Sequence, residues 1–163
     1  MSELLGIQKA SLYHHIGSKE DLLYSICMGA TTGVLEDVRE AIAAAPPEER
    51  LREAIKAHIV SVIRDSDLHA VLQFEWRALS EERGEEISEI RRELHSELRR
   101  LIESDRKAGR LRTDVSVKYI SLTLMNLLSW ALFSFDEAGT ESPAKFGDTL
   151  ALLFLEGAQG TPA

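Results

Sequence analysis

The sequence predicts an all-α fold, and three observations carry that prediction. Apolar residues recur at helical spacing over nearly the whole chain. Only four prolines and ten glycines interrupt its 163 residues. The breaks between periodic stretches carry helix start and stop signals rather than hairpin turns.

The elements follow in order. Ser18 is a good N-cap, with Asp21 three residues on and acidic side chains in the first turn. Leu22, Leu23, Ile26, Thr31, Val34 and Ile42 carry that helix to about residue 45, where Pro46-Pro47 ends it. Pro47 with Glu48 and Glu49 is expected to open a second helix with Leu51, Ile55, Ile59, Val62 and Ile63 on one side. Asp65-Ser66-Asp67 is a break and a fresh cap, followed by Leu68, Val71, Leu72, Glu75, Trp76 and Leu79 on one face. Gly84 is expected to punctuate. A long amphipathic helix then carries Ile87, Ile90, Leu94, Leu98 and Leu101/Ile102, with outer pairs Glu89–Arg92, Glu97–Arg100 and Glu103–Lys107. Gly109 is a C′ candidate.

A helix over 117–135 is apolar nearly all round, and after a loop at 136–142 a last apolar helix runs over 143–157. Uncharged residues run only from Tyr119 to Phe135, short of the roughly 20 that span a bilayer. No membrane association is therefore expected. A helix that is hydrophobic all round has to be covered on every side. A chain this short covers one or two faces itself, so a homodimer through 117–135 and 143–157 is expected, across a two-fold axis.

Composition narrows the function classes. The hydrophobic share of 44% and charged share of 28% are those of an ordinary globular protein. A net charge of −8 argues against a general nucleic-acid binder, with 1–24 close to neutral. Cys27, the single cysteine, excludes a disulfide framework, and the N-terminus lacks a signal-peptide pattern. Both point to a cytoplasmic setting. There is no Gly-x-Ser-x-Gly, phosphate loop or Cys/His pairing, so no enzyme is expected. His58, His69 and His95 lie on three helices without a metal-ligand partner three or four residues away, and His14-His15 is equally weak. No metal or cofactor is expected.

The front of the chain is more specific. Leu5-Gly6-Ile7-Gln8-Lys9-Ala10-Ser11-Leu12-Tyr13-His14-His15-Ile16 reads as a turn and the second helix of a helix-turn-helix. In that motif the second helix enters the major groove. Leu5, Ile7 and Leu12 would seat it, while Gln8, Lys9, Ser11, Tyr13, His14 and His15 populate its outer face. Lys19, heading the next helix, would add a phosphate contact. By spacing alone, a packed corner explains these residues equally well.

This run, with Ser18-Lys19-Glu20-Asp21-Leu22-Leu23, resembles the recognition-helix signature of the tetracycline-repressor (TetR) family, departing at Ile16, where Phe is usual. The resemblance implies DNA contacts at Lys9, Ala10, Ser11, Tyr13, His14, His15 and Lys19. It also implies a partial head and connecting helix over 1–45, and a helical ligand-binding and dimerisation domain over 46–163. Family heads begin with a long helix and most of another before the Leu-Gly turn; here only Ser2 to Leu5, after Met1, precede Gly6. The reading is an N-terminally truncated head, with operator DNA the partner of a full-length protein.

Gln73-Phe74-Glu75-Trp76-Arg77-Ala78-Leu79, Ala108-Gly109-Arg110-Leu111-Arg112-Thr113-Asp114-Val115 and Met125-Asn126-Leu127-Leu128-Ser129-Trp130 resemble a subgroup regulating fatty-acid, steroid and aromatic-acid degradation. Several of its members are released from DNA by acyl-CoA thioesters, which implies a small hydrophobic effector, an acyl-CoA or another hydrophobic acid derivative. Trp76 would offer a flat wall and Arg77 an anion contact, or the triplet is a core aromatic beside a surface ion pair. Asn126, an amide in an apolar helix, calls for a partner in another helix, a ligand or a symmetry mate. Trp130 completes the candidate ligand set. Two readings stand: a ligand-responsive repressor, or a dimeric small-molecule-binding module that no longer touches DNA.

Overall fold

The computed structural model describes residues 18–136 and 138–159. Among them are six α-helices and one short 3-10 segment. Helix α1 (Lys19–Ala44) starts where the sequence expects. The Ser18 hydroxyl accepts from the Asp21 amide at 3.1 Å and donates to the Asp21 carboxylate at 2.8 Å. Ala45 leaves the helix in an extended conformation, as the residue before Pro46 must.

Helix α2 (Arg50–Arg64) begins three residues beyond Pro47. The expected start at Pro47 is corrected: residues 47–49 form a turn closed by the Glu49 amide on the Pro46 carbonyl at 3.0 Å. Helix α2 is the centre of the molecule and touches α1 and all four later helices. Its Leu51, Ala54, Ile55, His58, Ile59 and Val62 are buried.

Helix α3 (Ser66–Glu75) passes into a 3-10 turn at Trp76–Ala78. Helix α4 (Glu81–Lys107) runs straight through Gly84, which does not punctuate it. Glycine's helical cost of about 1 kcal/mol is outweighed locally by ties to α1. Arg83 pairs with Asp21 and lies over the Tyr24 ring at 5.0 Å, and the Ser80 amide donates to Glu20 at 3.0 Å. Ile87, Leu94, Leu98 and Ile102 face the core.

The surface pairs of α4 differ from those expected. Glu97 pairs with Arg39 of α1, Arg92 with Glu85, and Glu103 with Arg99. Helical spacing allowed the intrahelical pairs, but a cation on the neighbouring helix lay closer to Glu97.

Gly109 closes α4 with φ +76°, the left-handed value that glycine adopts freely. The Arg110 amide donates back to the Asp105 carbonyl at 2.9 Å and the Gly109 amide to Arg106 at 3.1 Å, a Schellman pair. Arg110 also grips the buried Asp105 carboxylate at 2.6 Å.

Helix α5 (Val117–Ser134) and helix α6 (Pro143–Ala158) complete the bundle, the latter capped by the Ser142 hydroxyl on the Lys145 amide. Gly147 of α6 packs directly against Lys56 of α2. Helix α5 buries only Ile120, Leu124, Leu128 and Ala131 against this chain. No helix among the described residues is long and apolar enough to cross a membrane.

Candidate functional site

A cavity of about 90 Å³ lies between α1, α2, α3, α4 and α5. The amphipathic stripes converge there without closing completely. Val34, Val62, Leu72, Leu94, Leu128 and Leu132 supply its apolar walls. Thr31, His58, His69, Gln73, Arg91, His95 and Ser129 supply its polar ones. No aspartate or glutamate lines it, so the charge that faces it is positive or neutral.

His58 is buried and its Nδ1 has no hydrogen-bond partner. Burial, then the neighbouring His69 and His95, holds its imidazole down to about 3, so it is neutral at physiological pH. Burial also lowers His69, against a smaller opposing pull from Asp65. His95 stands on the exposed rim and is lowered by partial desolvation and then by Arg91.

Arg91 is half-buried, and burial, then the Arg77 charge, disfavours its cation. Its guanidinium lies 5.3 Å from the centre of the Trp76 ring, with that of Arg77 at 5.1 Å. A groove of about 250 Å³ between α4 and α5 shares His95 and Met125 with the cavity. Its floor holds Leu98, Ile102 and Leu124, its edge Arg99 and Lys118. Ser121 lines it with a buried hydroxyl that has no partner.

Sequence reasoning placed the three histidines on separate helices and found no connection. The structure brings them to one space. One signal was available for His58, which falls three residues after Ile55 and four before Val62, inside the apolar stripe of α2. Nothing comparable marks Arg91, which looks like any charged residue of α4.

The sequence-derived ligand candidates are divided between two places. Trp76 packs against Leu79, Ile87 and Cys27 and beside Arg91, while Arg77 is exposed next to it. Asn126 and Trp130 instead lie on the outward face of α5, and none of the four lines the cavity. The burial expected for Asn126 is therefore not met within one chain. Tyr119, Leu122, Trp130 and Phe133 share that face, with Leu152 and Leu153 of α6 exposed as well. Phe133 packs on Trp130 at 5.3 Å and on Phe74 at 5.7 Å between ring centres.

Of the expected DNA contacts, Lys19 is exposed in the first turn of α1. Lys9, Ala10, Ser11, Tyr13, His14 and His15 lie outside the described residues. Among the described residues no group of three or more His, Cys, Asp or Glu is placed to hold a metal ion. Cys27 is a fully buried thiol raised by that burial, as a small apolar side chain would be placed.

Residues 44–158 match the family model for the C-terminal domain of tetracyclin repressor-like proteins. No match is found among curated proteins. Among solved structures, the TetR-family regulator PfmR of Thermus thermophilus is 26% identical, with a TM-score of 0.84 over 95% of this chain and 85% of that one. The ketosteroid transcriptional regulator KstR2 of Mycobacterium tuberculosis is 20% identical, with a TM-score of 0.87 over 98% and 83%. AibR, solved with isovaleryl coenzyme A and operator DNA, is 23% identical, with a TM-score of 0.77 over 91% and 80%. With its six-helix order and the family model spanning five of those helices, the chain belongs to the TetR family of transcriptional regulators.

Proposed function

We propose that this protein is a ligand-responsive transcriptional repressor whose effector is a hydrophobic acid or an acyl-CoA formed from one. The observation that carries the reading is the cavity itself. Its wall includes Ala30, Thr31 and Val34 from the middle of α1, and Lys19, the first residue of that helix, is an expected DNA contact. Thr31 to Lys19 is about 18 Å of rigid helix at 1.5 Å per residue. An occupant that shifts α1 at Thr31 therefore shifts Lys19, and with it the spacing between two half-sites.

In this reading Lys9, Ala10, Ser11, Tyr13, His14, His15 and Lys19 face the DNA. Trp76 and Arg77 stand beside Arg91, which lines the cavity. Asn126 and Trp130 belong to the two-fold interface, because they lie among the exposed apolar side chains of α5 and α6. Large exposed apolar patches of this kind are what association covers. The AibR complex with isovaleryl coenzyme A and operator DNA supports testing acyl-CoA thioesters here. The acyl group would enter the cavity and the coenzyme follow the α4–α5 groove past Arg99 and Lys118.

The test is to select duplexes from a random pool with the protein as its gene encodes it, and to measure fluorescence anisotropy on the selected sequence. The expected result is sequence-specific binding of a dimer, reversed by a hydrophobic acid or its CoA ester. Failure to enrich any duplex would refute the repressor reading and favour a binding module without DNA contact.

A further inference from the structure

We infer that the cavity is built for the carboxylate of a small amphipathic acid, held by Arg91 and His58. The inference rests on the reading of this cavity as the effector site, and it specifies the chemistry of the occupant.

Arg91 is the first ground. Elsewhere in the chain Arg39, Arg64, Arg83 and Arg110 each reach a carboxylate. Arg91 is drawn inward and has no carboxylate within ion-pair distance among the described residues; its guanidinium rests against the Trp76 ring. A partly desolvated cation without an anion is costly, and the natural way to offset that cost is an anion that arrives with the ligand.

His58 is the second and independent ground. It is 8% exposed, lines the same cavity, and carries a buried Nδ1 with no partner. A buried ring nitrogen of this kind is rarely left unsatisfied. A neutral imidazole can donate one N–H to a carboxylate oxygen, and the guanidinium supplies the balancing charge. Gln73 stands in the same lining as a further donor, while the Thr31 hydroxyl already donates to the Cys27 carbonyl at 2.7 Å.

The remaining wall sets the body of the ligand. Val34, Val62, Leu94, Leu128 and Leu132 are apolar, so an inorganic anion would leave most of the lining uncovered. A cavity of about 90 Å³ is smaller than the roughly 150 Å³ that accepts benzene. The fit is to a monocarboxylate of about three or four carbons, with no more heavy atoms than benzene.

The experiment is calorimetric titration of the full chain with the straight-chain acids from propionate to hexanoate, each beside its primary amide and its CoA thioester, with inorganic phosphate as a further arm. One acid of the series is expected to bind at least about tenfold more tightly than its amide, and R91Q to lose at least about tenfold. R91K, which keeps the charge, is expected to retain most of the affinity. If R91Q fails to fold, the acid-against-amide comparison on the unaltered chain decides alone. Equal affinity for acid and amide, an R91Q variant that folds and binds normally, or no binding by any acid overturns the inference. Tighter binding of phosphate than of every acid also overturns it. A thioester that binds where the free acid does not overturns it too and leaves the effector reading standing. An acid that binds as expected without changing DNA affinity supports the inference and overturns the effector reading.

Discussion

Replacing His58 with asparagine is expected to flatten the acid limb of the unfolding profile. In the folded chain burial holds the His58 imidazole at about 3, against 6.5 for the free side chain. The unfolded state therefore takes up its proton first as pH falls. Stability from this group is complete above about pH 6.5 and is lost progressively toward about pH 3. At about pH 5 the loss is about 2 kcal/mol, from 1.36 kcal/mol per unit over the interval below 6.5.

The groups facing His58 do not reverse that sign. Helix α3 presents His69, and α4 presents His95 and Arg91, while α1 and α5 present no charged side chain to the cavity. Both other histidines are themselves lowered, so they steepen the same limb. Asparagine places an amide near the Nδ1 position and does not titrate. Urea unfolding at fixed protein concentration, at about pH 8 and about pH 5, reads the difference between wild type and H58N. The wild type is expected to lose about 2 kcal/mol more than the variant on acidification. Equal losses would mean that His58 is protonated in the folded chain, and the account of a desolvated neutral imidazole would be wrong.

Other outcomes follow from the same geometry. Trp130→Glu or Leu153→Glu is expected to shift the protein from dimer to monomer in sedimentation velocity, since both side chains are about 60% exposed on the apolar face of α5 and α6; a wild-type monomer would refute the interface. Lys9→Ala is expected to weaken operator binding about equally across sequences and to lower the slope of log K against log salt by about 1. An unchanged slope would remove Lys9 from the phosphate contacts. Asp105→Ala removes the buried carboxylate that accepts from the Arg110 guanidinium, while the backbone bond from the Arg110 amide to carbonyl 105 remains. Because Arg110 is itself partly exposed and can be hydrated, the loss is expected to be about 1–2 kcal/mol, between a buried and a surface pair. Urea unfolding measures it, and a loss below about 0.5 kcal/mol would make the pair a surface one.

Much of the fold is local and was therefore legible in the chain. Ser18, Ser142, Gly109 and the Pro46-Pro47 pair mark helix ends through their own backbone and side-chain chemistry, so the boundaries they set hold in the structure. Gly84 misled because its helical cost of about 1 kcal/mol was overruled by neighbours, and Pro47 because it sits in the turn before α2 rather than at the first helical residue. The exposed stripe of Tyr119, Leu122, Asn126, Trp130 and Phe133 follows from helical spacing. Which stripe faces this chain's own core does not, since α5 is apolar on several sides.

By itself the sequence determined the all-α class, most helix ends, the family resemblance and the surplus of apolar surface on the last two helices, because each depends on residues near one another along the chain. Only the tertiary structure decided that His58, His69, His95 and Arg91, from three helices, meet around one cavity without a carboxylate among them. Periodicity says that a residue points inward from its own helix. It does not say which side chains of other helices it meets there, and that meeting is what gives the cavity its chemistry.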